Sequence, residues 1–241
     1  MGVWVLVGVA GAVGLAAGAQ QLVGFGFALM AMPLLSVLVG PQDAVALAAI
    51  ASLAGGTSMA WRLRHLAARP VLRRLVAGAA LGLPLGVLAL GHVPDAPLRI
   101  AVALAVLAMV AILAVGWRMR EERPRTELAA GFVSGVMGTA IGISGPPVVL
   151  VLQAARMEQH RFRATTVTFF VVCDLATLPL LLGTGVVGLE RWPAAVVAVP
   201  AALVGNRACE GLAHRVRTEQ FRPLVLALLV LAAGVALASA V

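Results

Sequence analysis

Lysine is absent from this chain, cysteine occurs twice, and charged residues fill only 12% of its 241 positions. Without lysine there is no G-x-x-x-x-G-K-[ST] loop, so the chain does not hydrolyse nucleotide in the P-loop manner. Cys173 and Cys209 lie in or beside apolar stretches and form no framework of the secreted kind, so they read as small hydrophobes. Cys209 and His214 have no further ligand nearby and give no zinc signal. H-E-x-x-H, G-x-S-x-G and paired intramembrane aspartates are also missing. No enzyme, metal or cofactor is expected.

Soluble domains average about 25% charged and roughly 45–50% apolar residues. This chain has 61% apolar residues, so water is not its main solvent. Apolar runs cover 2–40, 44–61, 75–91, 100–117, 128–155, 164–189, 192–206 and 223–241. About 20 residues of helix cross a hydrocarbon core of about 30 Å, so most runs fit one crossing each. The runs 2–40 and 128–155 are too long for one and are broken, at Gly24 and Gly26 and at Gly142, Gly145, Pro146 and Pro147. Each reads as two antiparallel segments meeting at a turn. Trp4, Trp61, Trp117 and Trp192 fall near span ends, where an indole sits between headgroup and hydrocarbon. The N-terminus lacks a positive n-region, and its first run reads as a retained span.

A net charge of +8 would suggest nucleic acid in a soluble chain, but here the arginines sit in short loops between spans. Nucleic acid is therefore not an expected partner; the lipid bilayer is. Taking the loop of Arg62, Arg64, Arg69, Arg73 and Arg74 as cytoplasmic, alternation across ten segments puts 16 of 18 arginines on that side. Only Arg99 and Arg191 fall outside, and both termini are expected there. Single crossings of the two broken runs would split Arg118–Arg125 from Arg156–Arg163 and fit worse. Re-entrant hairpins give the same sidedness as full crossings.

Two halves follow the same order: a Gly-broken pair, a polar turn, then three spans separated by loops. The expected fold is all-α: a polytopic transmembrane helical bundle of about eight to ten segments. Residues 1–117 form a first repeat (segments 1–5) and residues 118–241 a second (segments 6–10). Setting Gly24 on Gly142 gives an offset of 142 − 24 = 118. Matched loops carry opposite loads, five arginines in 62–74 against the Glu190 and Arg191 pair in 184–191, so the repeats read as inverted. Transporters built this way place their site near the bilayer midplane, at the repeat interface.

Non-helical backbone at membrane depth exposes N–H and C=O groups, and it survives only beside protein or a wet cavity. Where a helix restarts after such a break, its first N–H groups and positive dipole end can hold an anion. Gly24, Phe25 and Gly26 form the first candidate cradle, with amide donors from Gln20 and Gln21. Gly142, Gly145 and Pro146 form the second, with hydroxyls from Thr139 and Ser144; Pro146 and Pro147 suit the first turn of the restarting helix. Gly135 and Gly138 taken singly read as helix-packing glycines.

These residues carry a resemblance. Gln21-Leu-Val-Gly-Phe-Gly-Phe-Ala-Leu-Met-Ala-Met-Pro33, Gly138-Thr-Ala-Ile-Gly-Ile-Ser-Gly-Pro-Pro147 and Arg161-Phe-Arg-Ala-Thr165 resemble the sulfite exporter TauE/SafE family of membrane transporters, over nearly the whole chain. The resemblance implies a duplicated all-helical transporter of small anions: sulfite, sulfonates, other sulfur oxyanions or related organic acids. Together with the compact loops, it implies a bacterial cytoplasmic membrane. Phe27 and Ala28 stand where many relatives carry more glycine, so a symmetric backbone cradle is not expected.

Asp174 is the one acid deep inside an apolar run, about 18 Å along the helix from Phe162 at 1.5 Å per residue. An intramembrane acid is functional by default, here as a proton carrier, with Thr177 on the same face. The bland alternative is a carboxyl that ties two helices together. Arg163 is a candidate gate or anion attractor, set against a role in topology alone. The expected function is gradient-driven transport of a small anionic solute, with a homo-oligomer left open. The rivals are a non-transporting membrane subunit of a complex, and a cation or metal permease favoured by Asp174 but lacking acidic, His or Met clusters.

Overall fold

The computed structural model describes residues 2–23, 26–115, 124–154, 157–186, 192–213, 231 and 234. Among them the chain forms nine α-helices and no strand. The helices are α1 (Val3–Val23), α2 (Phe27–Val39), α3 (Pro41–Leu63), α4 (Arg69–His92), α5 (Asp95–Val115), α6 (Pro124–Ile141), α7 (Gly145–Ala154), α8 (Gln159–Gly183) and α9 (Trp192–Ala213). The segment expected over 223–241 lies almost wholly outside the described residues.

Five helices, α1, α3, α4, α5 and α8, are long and apolar enough to cross a membrane. Large apolar side chains on their outer faces, such as Leu81, Leu85 and Leu88 on α4 and Leu175 and Leu182 on α8, are exposed. Such a surface suits lipid and not water. The chain is a multi-pass membrane protein. With 13 and 10 residues, α2 and α7 are about 20 and 15 Å long at 1.5 Å per residue. Neither crosses a 30 Å core by itself.

Five helices begin earlier than the apolar runs indicate, by the widest margin α4, at Arg69 instead of 75; α8 begins at Gln159 instead of 164. Arginine is a good helix former whose apolar stem lies along the bundle while its head reaches water. The backbone ladder therefore continues past the hydrocarbon edge. Pro41 and Pro70 stand in the first turns of α3 and α4, where a missing N–H costs nothing.

Helix packing is dominated by three pairs: α4 with α6, α1 with α9, and α3 with α8. Gly78, Gly82 and Gly86 on α4 lie directly on the backbone of α6 at Leu128, Phe132 and Val136, and Gly131 and Gly135 return the contact at Leu75 and Ala79. On the other side, Gly205 of α9 rests on the backbone of Gly14, and Gly18 faces the Cys209 sulfur. Residue numbers rise together in both pairs, so each is parallel. With α3 and α8 the order reverses: Gly56 meets Val167 and Val171, while Met59 lies within 3.7 Å of Arg163. That pair is antiparallel.

Polar contacts fix which loops share an end. Arg74 Nη1 pairs with Glu127 Oε2 at 2.7 Å, and the Ala68 N–H donates to Thr165 Oγ1 at 2.9 Å. The starts of α4, α6 and α8 are therefore together, and with them Arg69, Arg73, Arg74, Arg125, Arg161 and Arg163. Arg64 closes the same end of α3, its guanidinium 3.8 Å over the Trp61 ring and donating to the Trp61 carbonyl at 2.7 Å. Gln42 Nε2 donates to Asp95 Oδ1 at 3.0 Å, joining the starts of α3 and α5. Arg99 follows closely after Asp95 on α5.

Candidate functional site

Both interrupted stretches contain a left-handed glycine. Gly26, with φ 103°, caps the start of α2, and Gly142, with φ 70°, ends α6. A Cβ at Gly142 would run into the side chain of Met32, which is fully buried on α2. Only glycine satisfies the backbone angle and that contact together. The N–H of Ile143 reaches back to the Met137 carbonyl at 3.3 Å, and the Ser134 hydroxyl donates to the Ser144 carbonyl. The connector between α6 and α7 is thus pinned from both sides. Gly24 and Phe25 lie outside the described residues.

The two breaks open onto one cavity between α1, α2, α3, α4, α6 and α8. A water molecule's centre can occupy about 40 Å³ of it, and one water needs about 10–15 Å³ of such space, so a solute of a few heavy atoms fits. The restarting ends of α2 and α7 both reach it, through Gly26 to Leu29 and through Ser144 and Gly145. The first N–H groups of a helix have no carbonyl within it to bond. At α2 these belong to Phe27, Ala28 and Leu29. At α7, Pro146 and Pro147 have none to give, which leaves Gly145.

The cavity brings together seven residues singled out in the sequence: Gln20, Gly26, Gly142, Ser144, Gly145, Asp174 and Thr177. Four others lie elsewhere. Thr139 spends its hydroxyl on the carbonyls of Leu83 at 2.8 Å and Gly135 at 3.1 Å, inside the α4–α6 contact. Arg163 donates from Nη2 to the Gln21 carbonyl at 2.9 Å, so it closes the last turn of α1 and engages Gln21 through its backbone. Pro146 does not line the cavity.

Ser52 on α3 and Ser134 on α6 line the cavity without having been singled out. A serine in an apolar helix more often bonds its own backbone, so nothing in the sequence distinguishes these two. Gly138 also lines it, opposite Ser144, whereas Gly135 packs on Ala79. Asp174 faces Ser52, and its Oδ2 is enclosed with no hydrogen-bond partner. No group of three or more His, Cys, Asp or Glu able to hold a metal occurs among the described residues.

The family model for the sulfite exporter TauE/SafE proteins matches residues 9–236. The chain belongs to the sulfite exporter TauE/SafE family. The match spans both interrupted stretches and every residue that lines the cavity. No match was found among curated proteins or solved structures. Membership of the TauE/SafE family, with five long apolar helices, makes this a transport protein of the membrane.

Proposed function

We propose that the protein is a gradient-driven carrier of a small anion, a sulfur oxyanion, an organosulfonate or a related organic acid, bound in the cavity where the two broken helices restart. One observation carries this reading: the starts of two half-length helices, which cannot cross the membrane by themselves, line the same cavity. Backbone amides and the positive end of a helix favour an anion there without a buried cation. Gln20, Gly26, Ser144 and Gly145 are the binding residues; Ser52 and Ser134 stand in the wall beside them, holding Asp174 and the Ser144 carbonyl.

Inverted repetition is part of the proposal. The ends of α1 and α6, the starts of α2 and α7, and the starts of α3 and α8 differ by 141 − 23, 145 − 27 and 159 − 41, each 118. Exchanging the two sets of helices turns the α1–α9 contact into the α6–α4 contact, both parallel and both glycine-lined. It maps the antiparallel α3–α8 pair onto itself. Such a pseudo-two-fold places the site between repeats, where alternating access works on it from either side. The arginine-rich end faces the cytoplasm of a bacterial cell in this reading.

The test is flux. Purified protein in liposomes is expected to move sulfite, a sulfonate or a small carboxylate down its gradient above protein-free vesicles. Flux of a cation or metal ion in place of every anion tried would refute the carrier assignment.

A further inference from the structure

The cavity sets a carboxyl beside the proposed anion site, and that pairing has a chemical consequence. Asp174 is the one residue with a charged side chain among the described residues that line the space. Ser52 from α3 hydrogen-bonds to it, and Leu83 from α4, Ser134 from α6, Gly145 at the start of α7 and Gln20 from α1 line the same space; Cys173, a thiol, neighbours it on α8. None of these brings a positive charge. Arg74 is held by Glu127 at the end of the bundle, and Arg163 by the Gln21 carbonyl. The enclosed Oδ2 has no donor from the protein.

An ionised Asp174 repels any anion drawn in by the amides at the start of α2, and enclosure strengthens that repulsion. A protonated Asp174 reverses it: the carboxyl then has an O–H to give, and an oxyanion has oxygens to receive it. We propose that the cavity takes up its anion and one proton as a unit, the anion on the amides of α2 and the proton on Asp174, whose O–H donates to an anion oxygen. The inference rests on the anion-site reading above and adds its coupling ion. A monoanion then crosses as a neutral pair, and the proton returns to solvent when the solute leaves. Solutes without an acceptor oxygen are not carried.

The decisive measurement is the number of protons taken up on binding. Purified protein in weakly buffered detergent solution is titrated with methanesulfonate, which stays a monoanion over the working pH range, and with sulfite, while an indicator dye follows pH. About one proton per methanesulfonate bound is expected, with affinity rising up to about tenfold for each pH unit lowered. Asp174→Asn keeps a neutral donor in place. It is expected to bind at high pH as the parent does at low pH, with no proton uptake and no slope. For sulfite, whose own ionisation affects both proteins alike, the difference between the two slopes isolates Asp174.

Anion binding by the parent without proton uptake overturns the coupling and leaves the anion site standing. Absence of binding by both anions at every pH overturns both. If Asp174→Asn fails to insert, the proton count on the parent decides alone, and Asp174→Glu, which keeps a carboxyl, is expected to keep the slope.

Discussion

Gly142 carries two constraints that a sequence shows only as one letter. Its left-handed backbone costs an L-residue about 1–2 kcal/mol, and its missing side chain is the space that Met32 fills. Gly142→Ala should lower the melting temperature of the purified protein and weaken anion binding. Gly183→Ala, at a helical position with open space around it, is the control and should leave both unchanged. Equal melting temperatures for the two variants would show that the break tolerates a side chain. Arg163 is a second case. Its link to the Gln21 carbonyl is a hydrogen bond from a charged group, worth roughly 1.5–3 kcal/mol. Arg163→Gln should destabilise the protein while a solute still binds in the cavity; loss of binding with stability intact would make Arg163 part of the passage instead.

At the level of the helix, close approach decides which elements pair. Water exclusion provides no drive between helices in lipid, so contact depends on small residues that let backbones meet. Gly82 touches the backbone of Phe132 and Val136, whereas Gly11 on α1 has open space. Gly82→Val should therefore separate α4 from α6, and because α6 supplies Ser134 and leads into Gly142, anion binding should fall with stability. Gly11→Val should do neither. Comparing thermal unfolding and anion binding of the two variants checks this; a Gly82→Val protein as stable as its parent would mean that the contact carries little energy. The stripes Gly78, Gly82, Gly86 and Gly131, Gly135 were visible as letters, and Gly135 alone reads as a packing residue. The identity of its partner helix was not visible, because small-residue spacing names a face and not what covers it.

For the whole molecule, the arginines are the organising charge. The Arg74–Glu127 pair and the Ala68–Thr165 bond join loops that are far apart in sequence at one end, opposite the Gln42–Asp95 contact. With Cys173 and Cys209 replaced by alanine, single cysteines at Arg64 and Arg125 should react with a membrane-impermeant thiol reagent only from the cytoplasmic side. A cysteine at Asp95 should react only from the other. Labelling of Arg64→Cys and Asp95→Cys from the same side would undo the orientation and the inverted-repeat reading together.

Low charge, long apolar runs, two glycine-broken stretches and clustered arginines settle from sequence alone that this is an all-helical membrane protein; the family follows from the match over residues 9–236. Each of these sequence features is a local quantity that partition between water and lipid acts on directly. Setting Gly24 on Gly142 gives the same 118-residue offset that separates the helix boundaries used in the proposed repeat. Only the tertiary structure decided which polar side chains face the cavity and which are spent on packing. Thr139 and Arg163 looked like site residues and are held by backbone carbonyls, while Ser52, an inconspicuous serine in an alanine-rich helix, stands opposite Asp174. Hydrogen-bond partners lie tens of residues away and depend on how helices turn against one another, and residue type and spacing do not encode that.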